Sequence, residues 1–105
     1  MPQKETLQRA IETILNDVID RGFMHLMRYP QHDSSLNVII RKASDNIHRL
    51  KRRLENHTSV TAAEQIAHYN SVSEDLQRTS LQLLGELQAI EKSDKQQHQT
   101  PKGAF

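Results

Sequence analysis

Five basic side chains, Arg41, Lys42, Arg49, Arg52 and Arg53, recur along one stretch of the chain. On a helix, at 100° per residue, they fall within an arc of roughly 120°. Cations held on one rigid face can contact several phosphates at once, and the counterions they release make such binding strongly salt-dependent. The chemistry on offer is therefore phosphate recognition, whether on nucleic acid or an anionic membrane, or the recognition of an acidic protein. The plainer alternative is a solvated outer face, neutralised in part by Asp45 and by acids further along the chain. No aromatic residue is interleaved with the cations, so base stacking is not offered. No glycine-rich or helix-turn-helix signature accompanies them.

Within the same stretch, six residues separate Arg41 from His48. This spacing resembles the Arg-x(4–6)-His motif of HEPN ribonucleases, helical proteins that often dimerise. The resemblance covers these two residues alone and stays a remote alternative. It implies that Arg41 stabilises a phosphorane and that His48 acts in general acid–base catalysis. The other histidines are His25, His32, His57, His68 and His98. None of the six pairs with another at i, i+3 or i, i+4, and no Glu-x-x-His occurs, so no metal site is expected. Met24 and Met27 around His25 read as gap-fillers of a core or an adaptable docking surface, not as a ligand set. There is no cysteine, no phosphate-binding loop, no dinucleotide fingerprint and no Ser-His-Asp constellation. Neither an enzyme, a cofactor nor a small-molecule substrate is expected.

The elements that must carry these residues are helices. From 36 to 54 the apolar residues Leu36, Ile40, Ala43, Ile47, Leu50 and Leu54 step by four and three, the seam of a helix packed against others. The cations lie opposite that seam, on a helix expected over residues 34–56 and capped by Asp33, Ser34 or Ser35. A first helix is expected over 4–28, with Leu7, Ala10, Ile11, Ile14 and Val18 as its stripe. Toward its end the apolar surface widens to Ile19, Phe23, Leu26 and Met27, with Met24 pointing elsewhere. Gly22 in this stretch permits a close helix approach or a bend. Tyr29-Pro30 ends the helix, because the residue before proline is pushed out of the helical region.

Thr61-Ala62-Ala63-Glu64 is a capping box that opens a third helix over 61–92. Its stripe is Ala62, Ile66, Tyr69, Val72, Leu76, Leu83, Leu87 and Ile90, with Leu81 and Leu84 to one side. The stripe keeps its phase across 70–73, which favours one continuous helix. Residues 93–105 show no periodicity and are expected to be a disordered tail. Short connections force antiparallel neighbours. The expectation is an all-α, up-down-up antiparallel three-helix bundle over 1–92, with a long third helix.

The apolar fraction is 35% and the net charge +1. Residues 34–57 carry six basic side chains and two acids, whereas 61–92 carry two and five. The second and third helices therefore pair with complementary charge, which sets orientation more than stability. Such a thin core points to a protein partner or a homodimer that covers leftover stripes. The leading functional expectation is a small cytoplasmic interaction module, an adaptor, regulator or chaperone-like partner acting by helix packing. Its contacts would come from Ile19, Phe23, Met24 and Met27 on the first helix and Leu83, Leu84, Leu87 and Ile90 on the third. The alternative is a nucleic-acid-binding regulator that uses the five cations. No run of apolar residues is long enough to span a membrane, and the first residues do not read as a signal peptide.

Overall fold

The computed structural model describes residues 3–56 and 61–103, with side chains for 4–56 and 61–92. It contains three long helices, α1 (Gln3–Arg28), α2 (Asp33–Glu55) and α3 (Ala62–Gly103), and no strand among the described residues. They form the expected up-down-up bundle. The second helix packs against both others, and α1 meets α3 less extensively than it meets α2.

The turn between α1 and α2 follows from Pro30. Tyr29 before it leaves the helical region (φ −133°, ψ 72°), and Pro30–His32 form a single 3-10 turn. The backbone N–H of Asp33 donates to the carbonyl of Pro30, so the chain passes directly from this turn into α2. The expected capping by Asp33, Ser34 or Ser35 does not occur, since all three stand inside the helix. Asp33 instead accepts a hydrogen bond from Asn37 Nδ2 at 2.5 Å. At the start of α3 the capping hydroxyl is in place: Thr61 Oγ1 accepts from the N–H of Glu64 at 3.1 Å. The helix then runs unbroken through 70–73. Its backbone passes the expected end at residue 92 and continues to Gly103. The side chains of 93–105, for which the sequence predicts disorder, lie outside the described residues.

The core is one cluster drawn from all three helices. Its buried members are Ile11, Leu15 and Val18 of α1, Leu36, Ile39, Ala43, Leu50 and Leu54 of α2, and Tyr69, Val72, Leu76, Leu83 and Leu87 of α3. Burying a Leu, Ile or Val contributes about 1.5–3 kcal/mol, so these stripes supply most of the driving force. Several positions differ from the sequence pattern, among them Ala62 and Ile66 of the expected α3 stripe, which are exposed. Leu15 takes the inward place expected for Ile14, which is exposed, and Ile39 is buried while Ile40 sits at the seam's margin. Ser80 occupies the gap in the α3 stripe, with its hydroxyl donating to the carbonyl of Gln77 at 3.0 Å.

Gly22 is a point of close approach. A Cβ added there would stand 2.8 Å from Ile40 Cγ1. A methyl group at this position therefore forces the Ile40 side chain or the helices themselves to shift, although alanine is otherwise the better helix former by about 1 kcal/mol. Overpacking of this kind costs about 1–3 kcal/mol. Gly22→Ala should lower the thermal midpoint by about 4–8 °C for a net loss near 1 kcal/mol. In an Ile40→Ala background the same substitution should raise it. A stabilising Gly22→Ala in the otherwise unaltered chain would show that the helices do not meet there.

Candidate functional site

The cations of α2 do not form one free stripe. Arg49 grips the carboxylate of Asp75 on α3 with both terminal nitrogens, Nη1 to Oδ2 at 2.6 Å and Nη2 to Oδ1 at 3.0 Å. Its Nε donates to Asn46 Oδ1 at 2.9 Å. One turn on, Arg53 donates from Nη1 to the same Asp75 Oδ2 at 2.5 Å and from Nη2 to Ser71 Oγ at 2.9 Å. Lys42 reaches Glu86 Oε1 at 2.9 Å. Three of the five predicted cations are thus turned onto α3 and paired with its acids. The pairing of Asp75 with Arg78 inside α3, which spacing alone permits, gives way to this contact between helices. On the other flank, Lys51 bonds to Glu12 of α1 at 2.5 Å.

The electrostatics follow from these bonds. The hydrogen bond from Arg49, with those from Arg53 and Thr79 and the nearby positive charge, holds the Asp75 carboxyl well below the usual carboxylate range, against a smaller opposing effect of burial. The same bond to Asp75 raises the Arg49 guanidinium above its ordinary value. Arg41 and Arg52 are exposed and make no ion pair among the described residues. His48 is also exposed. Arg41 and His48 line neither of the two groove sections nor the cavity described below.

Where α2 ends, Arg49, Arg52 and Arg53 line a cavity of about 440 Å³ together with Asn56 and His68. A ring nitrogen of His68, Nε2, lies 2.9 Å from the carbonyl oxygen of Arg53. The cationic pattern announced the three arginines. Asn56 and His68 were missed, because their place at the site depends on how α3 docks and not on any spacing.

The apolar residues expected to dock a partner separate into three groups. Leu83 and Leu87 are 2% and 1% exposed, inside the core of this chain, and so are not available as contacts. At the other end of α3, residues 62–67 are exposed and Tyr69 is the first buried side chain of the helix. Ile19, Leu84 and Ile90 are part-buried against the core. Phe23, Met24 and Met27 are 49%, 61% and 83% exposed.

Met24 and Leu84 belong to a longer feature, the open seam between α1 and α3. One section of about 520 Å³ is lined by Thr13, Ile14, Asn16, Asp17, Asp20 and Leu84. A second, of about 260 Å³, is lined by Arg21, Met24, His25, Arg28 and Glu91. Both use the same side of α1, over residues 13–28, or about 23 Å of helix. Charge reverses along it. On the α1 side the first half carries Asp17 and Asp20 and the second carries Arg21 and Arg28, with Glu91 of α3 across from the arginines. Asp17 and Arg21 pair at 3.2 Å where the halves meet.

Near the end of this groove the His25 ring lies 4.8 Å from that of Tyr29 and 6.3 Å from that of His32. The 3-10 turn brings together two histidines seven residues apart, which helical spacing alone did not pair. No group of three side chains able to hold a metal ion occurs among the described residues. The side chains of His57 and His98 lie outside them. No described helix is long and apolar enough to cross a membrane. No protein-family model, no curated protein and no solved structure matches the chain.

Because folding lowers the pKa of Asp75 below its unfolded value of about 3.9, the stability it contributes is present above about pH 4 and is lost as pH falls toward the folded value. Asp75→Asn should cost about 1 kcal/mol at neutral pH, given partly exposed arginine partners. It should also flatten the loss of stability between about pH 5 and pH 2, measured by urea unfolding. An acid profile unchanged by the substitution would show that Asp75 is not held by the arginines.

Proposed function

We propose that this chain is a helix-packing interaction module, of the adaptor or regulator kind, that works as an antiparallel pair of copies joined through the α1–α3 groove. The supporting observation is the charge order along that groove. Asp17 and Asp20 precede Arg21 and Arg28 on one side of one helix. An antiparallel second copy, with its two-fold axis crossing near Gly22–Met24, sets the acids of each α1 beside the arginines of the other. A two-fold interface must be self-complementary in this way. Ile14, Met24 and Leu84 supply apolar contact along the groove, with Phe23 and Met27 on its outer flank. The pair of α1 helices with the adjoining α3 helices then completes a bundle that one copy leaves open, in the manner of a helix seated in a groove.

The nucleic-acid reading has less support. Lys42, Arg49 and Arg53 already answer acids of α3, so a duplex backbone would meet only Arg41 and Arg52 unpaired. The HEPN-like reading has less still, since Arg41 and His48 share an exposed face without a described cavity between them.

Light scattering of the purified chain should give twice the 12.1 kDa of one copy. Met24→Glu, which puts a charge near the axis, should weaken association by about tenfold or more. Asp20→Arg and Arg28→Glu should each weaken it several-fold, and the two together should restore it. A 12.1 kDa particle at every concentration, or a double variant no better than either single one, would refute the pairing.

A further inference from the structure

We infer that the cavity at the end of α2 binds the phosphate group of a small phosphorylated molecule. It is a wide-mouthed depression of about 440 Å³ lined by Arg49, Arg52, Arg53, Asn56 and His68, open enough to admit a phosphate group from solvent. The charge matches a phosphate ester. Three guanidinium groups stand against one carboxylate, Asp75, which leaves a surplus of two positive charges. A phosphate monoester carries about −1.5 to −2 near neutral pH.

The arginines differ in what they offer. Arg53 is fixed by Asp75 and Ser71, and Arg49 by Asp75, Asn46 and Thr79. Their positive charge is therefore already in place, and little side-chain freedom is lost when a ligand arrives. Arg52 is exposed and makes no ion pair among the described residues. It brings a whole guanidinium fork, the geometry that grips phosphate oxygens two at a time.

The backbone removes an obstacle. A helix C-terminus presents unpaired carbonyl oxygens that repel an anion. Here the carbonyl of Arg52 accepts the N–H of Asn56 at 2.9 Å, and the carbonyl of Arg53 lies 2.9 Å from the His68 ring nitrogen. Two of the last four carbonyls of α2 are thus engaged, and Asn56, whose side chain carries an amide donor, is among the residues that line the cavity. Arg41, Lys42 and Lys51, the remaining cations of α2, do not line it. A single phosphate group fits this closed set better than the spaced phosphates of a nucleic-acid backbone, which would call on all five.

The test is an amide-resolved NMR titration of the full chain with inorganic pyrophosphate and with a ribonucleoside monophosphate, against sodium chloride at matched ionic strength. Saturable shifts should centre on residues 49–56 and His68. Arg52→Glu should weaken binding by about tenfold or more, Arg52→Lys should fall between, and Arg41→Glu should leave it within about twofold. Arg52 is exposed, so unchanged circular dichroism will confirm that its variants fold. Shifts no different from those in chloride would overturn the proposal. So would equal weakening by Arg41→Glu and Arg52→Glu, or preferential binding of a single-stranded RNA oligonucleotide with a salt dependence that reports several phosphates. Those last two results would mark an extended nucleic-acid face.

Discussion

Asp75 accepts hydrogen bonds from two arginines on successive turns of α2, and this shared carboxylate fixes which face of α2 meets α3. The energy of folding comes from the apolar cluster, since ion pairs that remain partly exposed contribute little. Orientation is a different matter. A seam of Leu, Ile and Ala tolerates rotation by a part of a turn, whereas a bidentate arginine with a second arginine one turn away tolerates very little. With Lys42 on Glu86 as a third contact, the cationic flank of α2 is turned toward α3. Lys51 on Glu12 ties the other flank to α1.

Two consequences follow. The first concerns α2, whose basic face is largely satisfied inside the molecule. What survives of it is local, the cavity where Arg52 stands between two braced arginines. The second concerns α1. Because α2 is the common neighbour, drawn close to α1 at Gly22 and clasped to α3 at Asp75, the direct contact between α1 and α3 is the looser one. The open groove lies there, with exposed apolar side chains and a charge order that matches its own reverse. A bundle held on one side and open on another is suited to receiving a further helix.

The sequence pattern conveyed the architecture well: three helices, their order, the seam from Leu36 to Leu54, the capping hydroxyl of Thr61 and the continuity of α3 across 70–73. Its errors share a physical origin. After Ile11, both Ile14 and Leu15 continue a helical stripe, and after Leu36, both Ile39 and Ile40 do. Periodicity cannot choose between i+3 and i+4 when both are apolar. The choice is made by where the neighbouring helices lie, and it placed Ile14 in the groove and Ile39 in the core. Leu83 and Leu87, expected as partner contacts, lie in the core, because helix lengths alone do not reveal which turns of α3 face the other two helices. The groove was half legible, in the widening apolar surface around Phe23, Met24 and Met27. Its charge order became visible only once Asp17, Asp20, Arg21 and Arg28 were known to line one side of α1. Asn56 and His68 carried no signal of their own.

We propose that the open side of α1 meets its own copy in reverse. The chain has no cysteine, so a single introduced thiol reports cleanly on that contact. Met24→Cys lies near the proposed two-fold axis and should form a covalent dimer rapidly and almost completely under mild oxidation. Thr13→Cys, in the same groove but far from the axis, should not. A Met24→Cys chain that stays monomeric, or one that cross-links no faster than Thr13→Cys, would contradict the account.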